Sequence, residues 1–147
     1  MCIQKKHNYK EEYRSELMRS IEASHSRLVH AVEAHRENKD NKPINNEDLN
    51  SFPLGVWVEI NDKIRGKKRK NRFSNYLNFD VEIEKGGEFG EHFHNDVIES
   101  TEVIYGELLD TSSGKVYKKG DVAQWEKGEK HTPIAMFKTL VHVLFKL

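Results

Sequence analysis

Hydrophobic positions change their spacing near residue 40 of this chain. Before it, Tyr9, Tyr13, Leu17, Ile21, Leu28 and Val32 recur at four- and seven-residue steps with no Gly or Pro between them. Such steps place side chains on one stripe of a helix, so the pattern predicts a helix over residues 9–37. Ser24 and His25 interrupt the stripe. It is expected to lie on the rest of the protein or to pair with the same helix of a second subunit. Residues 38–53 are rich in Asn, Asp, Lys and Pro and read as a linker or loop. Within them, Asn45 or Asn46 ahead of Glu47-Asp48-Leu49 could cap a short helical turn.

From Leu54 onward the period is two. Val56, Val58 and Ile60 alternate with Trp57 and Glu59, the pattern of a half-buried strand. Arg65 to Arg72 reads as a basic turn. Tyr76 to Ile83 alternates again, with Leu77, Phe79, Val81 and Ile83 on one face, and Gly86-Gly87 ends it. Val103 to Leu108 reads as the next strand, followed by a hairpin turn at Ser112-Ser113-Gly114. Val116-Tyr117 opens a short strand, Gly120-Asp121 makes a turn, and Val122 to Trp125 is extended. Ile134 to Leu147 supplies one or two closing strands, with Phe137, Thr139, Val141, Val143 and Phe145 on one face. Many short strands with turn signals about ten residues apart predict an all-β antiparallel sandwich or barrel. The expected division is residues 1–50, an N-terminal helix and linker, and residues 51–147, a barrel.

The 147 residues fit one domain. Lysine and arginine number 24 against 24 acidic residues, so no global field favours nucleic acid or an anionic membrane. Apolar residues make up 36% and charged residues 33%, a polar balance that places part of the chain outside a core. The one cysteine, Cys2, excludes a disulfide framework and suits a reducing compartment. The first ten residues carry no apolar stretch of the kind a secretory signal needs. The longest apolar tracts, such as Val141 to Phe145 around His142, are too short to span a bilayer. A cytoplasmic location is expected, with no membrane contact.

Chemistry concentrates between Gly86 and His131. His92 and His94 are an i, i+2 pair, which on an extended segment puts both imidazoles on one face about 6–7 Å apart at Cα. Glu99 follows five residues on, and His131 comes from a later segment. Together they could close on one metal ion. The glycines around them keep a recognisable spacing, Gly86-x5-His92-x-His94-x4-Glu99-x6-Gly106, then Gly120-x5-Glu126-x-Gly128-x2-His131. This two-part pattern resembles that of the cupins, and the chain resembles a small single-domain cupin. The resemblance implies a double-stranded β-helix, a jelly-roll barrel, here with an N-terminal α-helical extension. It also implies one divalent metal ion (Fe, Mn, Ni, Cu or Zn) with His92, His94, Glu99 and His131 as ligands. Glu102 is a rival to Glu99, but alternation lets only one of them face the interior, and Glu99 keeps the family's distance to Gly106. The second motif departs from the family pattern at Glu126, where proline is usual, and at Ala135, where asparagine is usual. Neither position is a ligand, so the departures blur the subfamily more than the metal site.

An Fe(II)-type centre with open positions is what oxygenase chemistry requires. The resemblance to cupins then implies a metal-dependent, dioxygenase-like enzyme acting on a small organic molecule. The alternative is a non-enzymatic module that senses a small molecule or metal and signals through its N-terminal helix. A third reading is a barrel with an incidental ion that changes only stability. A homodimer is expected from the apolar stripe over residues 9–32. The basic run Arg65, Lys67, Lys68, Arg69, Lys70 and Arg72 reads as a solvated hairpin tip, and nucleic acid is not an expected partner. The remaining histidines, His7, His25, His30, His35 and His142, lack partners at ligand spacing. Tyr105, Trp125, Phe137, Phe93 and Met136 are candidates to line the barrel mouth. No phosphate-binding loop, dinucleotide glycine motif, CxxC pair or Ser-His-Asp order is present.

Overall fold

The computed structural model describes residues 18, 22–23, 25–32, 42–71 and 73–147. Most of the expected N-terminal helix, including Tyr9, Tyr13, Leu17 and Ile21, lies outside the described residues, as do Cys2, His7, His35 and Arg72. Residues 25–32 are helical. Ala31 is fully buried, and Leu28 and Val32 pack against the barrel core.

Among the described residues nine strands follow: β1 (Trp57–Asn61), β2 (Ile64–Arg69), β3 (Tyr76–Ile83), β4 (Ile98–Tyr105), β5 (Glu107–Asp110), β6 (Lys115–Lys118), β7 (Val122–Trp125), β8 (Pro133–Ala135) and β9 (Thr139–Lys146). Six form one antiparallel sheet in the order β1-β2-β3-β9-β4-β7, and three form a second in the order β6-β5-β8. The segment before β4 extends the small sheet. His92 and His131 exchange backbone hydrogen bonds, and Phe89 N donates to Pro133 O. The two sheets share one core, in which Leu108 and Ala135 of the small sheet join Phe79, Val141 and Phe145 of the large one. Phe79 meets Phe52 and Phe145 edge-on, with centroids 5.3 and 5.7 Å apart. The result is an all-β double-sheet barrel, as the period-two pattern predicts.

β3 and its buried face run as expected, with Leu77, Phe79, Val81 and Ile83 all inward. Three expectations need correction. The basic run is not a hairpin tip; residues 64–69 are β2. Its inward positions are Ile64, Gly66 and Lys68, which carry no apolar alternation to read. Its charges find partners across the sheet, with Arg65 on Glu82 at 3.1 Å and Arg69 near Asp80 at 3.6 Å. Arg65 and Lys67 also cover the Trp57 ring at 4.5 and 4.9 Å. Second, the strand read over Val103 to Leu108 is two strands in different sheets. Gly106, at φ 91°, makes the corner, where a Cβ would lie 2.5 Å from Lys138 O. Third, Phe137 does not share the inward face of β9. It lies in the turn before that strand and is exposed.

The segment read as linker packs on the barrel over residues 42–53. Ile44, Leu49 and Phe52 are buried in the core. The one-turn helix Asn46–Asn50 has Asn45, one of the two candidate caps, at its N-cap, and Asp48 accepts from Asn45 N at 3.0 Å. The helical residues 25–32 lean on it through Arg27 and Glu47, 2.9 Å apart, and through His30 and Asp48, 3.9 Å apart.

Candidate metal centre

Four side chains meet between the two sheets. His92 and His94 come from the extended segment before β4, a loop rather than the strand their alternation suggested. Glu99 comes from β4, and His131 from the turn leading into β8. All four are buried, and one ligating atom from each lies within 4.8 Å of all the others. Donors bonded to one ion at about 2.1 Å are at most about 4.2 Å apart. Closing this cluster onto an ion therefore needs movements of only some tenths of an ångström.

Each imidazole is oriented through its Nδ1. His92 Nδ1 lies 2.7 Å from Gly90 O, His94 Nδ1 2.5 Å from Ile44 O, and His131 Nδ1 3.2 Å from Glu129 O. A carbonyl only accepts, so each Nδ1 carries the proton and donates it. Each Nε2 is then the nitrogen with the lone pair. Two of these, on His94 and His131, face the same Glu99 Oε1 at 3.0 and 3.2 Å. Lone pairs aimed at a carboxylate oxygen repel unless a cation lies between them. Protonating both rings would bury two imidazolium ions against one carboxylate. The donor set therefore fits a divalent ion, with backbone carbonyls behind the imidazoles as at many metal centres.

The other oxygen of Glu99 is also held. Thr101 Oγ1 donates to Glu99 Oε2 at 2.7 Å, two residues along the same face of β4. Burial pushes the Glu99 carboxyl up, but His131 and His94 outweigh it and hold the group well below the usual carboxylate range. Burial lowers His131, yet the Glu99 charge and hydrogen bond raise it overall. Trp125 opposes Glu99 in the β4–β7 register and stacks on His131, with centroids 4.3 Å apart and planes 10° from parallel. Beside the cluster is a cavity of about 50 Å³, lined by His92, Glu99, Thr101 and Trp125 and otherwise mainly by aliphatic and phenyl side chains.

Glu102, the rival carboxylate, is exposed on the outer face. Of the five aromatic and Met residues considered for the barrel mouth, Trp125 reaches the site. Tyr105, Met136 and Phe137 are exposed, and Phe93 is half-buried near Lys130. His142 faces away from the core and pairs with Asp80 at 3.3 Å. Sequence reasoning missed Thr101 and Ile44. Thr101 could have been found as a polar residue in phase with Glu99. Ile44 acts through its carbonyl, which no side-chain pattern announces.

Comparison of the coordinates with solved structures returns barrels of the same construction. KdgF from Halomonas sp. superposes with a TM-score of 0.57 at 18% identity, over 62% of this chain and 84% of that one. An RmlC-like cupin from Shewanella frigidimarina gives a TM-score of 0.56 at 18% identity, over 65% and 88%. The fold is that of a cupin. Ectoine synthase from P. lautus shares the cupin fold with this chain at a TM-score of 0.53 and 17% identity, over 61% and 67%. No protein-family model matches the sequence, and no curated protein matches it. Within the cupin fold, the paired sheets carry the His/Glu cluster and the cavity beside it. No helix among the described residues is long and apolar enough to cross a membrane.

Proposed function

We propose that this cupin is a metal-dependent enzyme acting on a small organic molecule, with His92, His94, Glu99 and His131 holding one divalent ion. The observation that carries the reading is the convergence of three Nδ1-anchored imidazoles and one carboxylate within 4.8 Å in a buried site. A bound Fe, Mn, Ni, Cu or Zn ion would supply Lewis acidity, and redox chemistry where the metal allows it. The chain's own residues do the rest. Glu99 contributes the one negative charge, and Thr101 holds its outer oxygen. Gly90, Ile44 and Glu129 fix the imidazole tautomers through their carbonyls. Trp125 stacks on His131, and the apolar cavity walls offer water few hydrogen-bonding partners. These four side chains would hold the ion and would leave it room to take small molecules from the cavity side, which favours a dioxygenase-like reaction. Residues 51–147 would be the barrel proper, with residues 42–50 packed into its core, and, since Leu28 and Val32 lie on that core, only the earlier part of the stripe, Tyr9 to Ile21, would join two copies as a cytoplasmic dimer.

Elemental analysis of untagged protein, beside His92→Ala and Glu99→Ala, tests the reading. Near one equivalent of iron, manganese, nickel or copper, lost in both variants, supports it and directs an oxygen-consumption screen. Zinc keeps the site and moves the chemistry to non-redox reactions. No metal after reconstitution refutes it.

A second reading, a sensor that signals through its N-terminal helix, is favoured by one contact. Ile44, whose carbonyl holds His94, precedes the turn of helix on which residues 25–32 lean. Metal-dependent hydrogen exchange in residues 25–32 without turnover of any substrate would favour it over the enzyme.

A further inference from the structure

The cavity beside the cluster has a charge balance and a wall chemistry that restrict what can enter. A divalent ion contributes two positive charges and Glu99 removes one, while the three imidazoles are neutral in the tautomers described. The centre is left with one positive charge. The lining holds no lysine and no arginine among the described residues. Its hydroxyl, on Thr101, already donates to Glu99. Elsewhere the walls are side chains such as Phe52, Ile60, Phe79, Phe89, Leu108 and Val141. A charge placed against such walls without a partner is strongly disfavoured. One anionic donor on the ion brings the site to neutrality. A second carboxylate on the same ligand would leave a net negative charge facing phenyl and aliphatic groups. A water needs about 10–15 Å³ of cavity measured this way, so the volume of about 50 Å³ holds roughly three to five water-sized groups.

We infer that the ligand of this site is a small monoanion with one coordinating head, a thiolate or a monocarboxylate, on a hydrocarbon body of a few carbons. The inference rests on the metal reading above and adds the class of molecule to it. Dicarboxylates and sugar acids, which need cationic or hydroxyl partners along their length, are excluded by the same walls. Water gives the opposite preference, because a chelating dicarboxylate binds a free divalent ion more tightly than a monocarboxylate does. The cavity is therefore expected to invert the order found in solution.

The test uses the full chain loaded with Co(II), whose visible absorption reports changes in its coordination. 1-Propanethiol, propionate and malonate are titrated separately. Expected is a saturable spectral change with propanethiol or propionate, with malonate requiring at least a tenfold higher concentration. Whichever monoanion binds more tightly identifies the donor, sulfur or oxygen. 4-Phenylbutyrate carries the same head as propionate on a body too long for the cavity, and is expected to bind at least tenfold more weakly than propionate. Malonate binding as tightly as propionate overturns the inference, and so does the absence of any response to both monoanions. Failure to take up cobalt overturns the metal reading and this inference with it. Uptake that is lost in His92→Ala, followed by a preference for malonate, overturns the inference alone.

Discussion

Replacing Thr101 with valine removes one hydroxyl and keeps the shape of the side chain. Thr101 is 3% exposed and Glu99 6%, so solvent has little access to replace the 2.7 Å bond between them. A hydrogen bond to a charged group contributes about 1.5–3 kcal/mol. The methyl that replaces the hydroxyl recovers about 0.8 kcal/mol by burial. The metal-free protein should therefore lose about 1–2 kcal/mol in urea denaturation. Metal affinity should fall further than stability suggests. With Oε2 unheld, the carboxylate can rotate and Oε1 no longer faces the two Nε2 atoms in a fixed pose. Losing a partner behind a ligand typically costs 10–100-fold in affinity, about 1.4–2.7 kcal/mol. Competition of Zn(II) between the protein and a chromophoric chelator measures that affinity, and Thr101→Ser, which keeps the hydroxyl, should restore most of it. A valine variant within twofold of the parent, or a serine variant as weak as valine, would refute the idea that Thr101 positions Glu99.

Three further outcomes are expected. Gly106→Ala should destabilise by about 2–5 kcal/mol, adding left-handed backbone strain of about 1–2 kcal/mol to overpacking of about 1–3 kcal/mol. The added Cβ would sit 2.6 Å from Thr139 Cα, and a thermal melt within about 0.5 kcal/mol of the parent would contradict the corner as described. Ile44→Ala should cost about 2–5 kcal/mol as a fully buried truncation; a loss under about 1 kcal/mol would show that residues 42–53 are not part of the cooperative unit. The metal-free protein should be less stable on both sides of a pH window. Glu99 is lowered from 4.5, so its contribution is complete above about that pH and is lost as pH falls through the lowered value. His131 is raised from 6.5, so its contribution is complete below about that pH and is lost as pH rises through the raised value. Metal binding needs deprotonated imidazoles, so the alkaline loss should vanish in the loaded protein. Denaturation midpoints of the metal-free protein that do not change above about pH 6.5 would count against the His131–Glu99 pair.

What could be read from the sequence followed where burial and period coincided. β3 was legible because all four of its inward positions are apolar. β4 was read too late because its first inward residues are Glu99 and Thr101, so the polar site itself breaks the alternation that marks a strand. β2 escaped because its inward face is Ile64, Gly66 and Lys68. Residues 42–53 escaped because Ile44, Leu49 and Phe52 are spaced among polar residues without a period. The cluster was legible for a different reason. His92, His94, Glu99 and His131 stand at fixed distances from glycines, and Gly86, Gly106, Gly120 and Gly128 all have positive φ. Turn geometry thus sets which side chains arrive at one point. What the sequence withheld is what surrounds that point, since carbonyl acceptors and cavity walls belong to the assembled fold.

The order of strands in the large sheet also governs when the site can exist. β9 follows all the other described strands in sequence, yet it lies between β3 and β4. As the chain is synthesised from its N-terminus, every candidate ligand emerges before the strand that joins Glu99's half of the sheet to the rest. Until β9 inserts, β3 and β4 have no common neighbour, and Phe145, the residue opposite Glu99, is missing from the floor of the site. Such distant pairings form late and slowly. Assembly of the His/Glu cluster in its native geometry is therefore a late event of folding, and a nascent chain short of β9 presents its histidines without a cage to hold them.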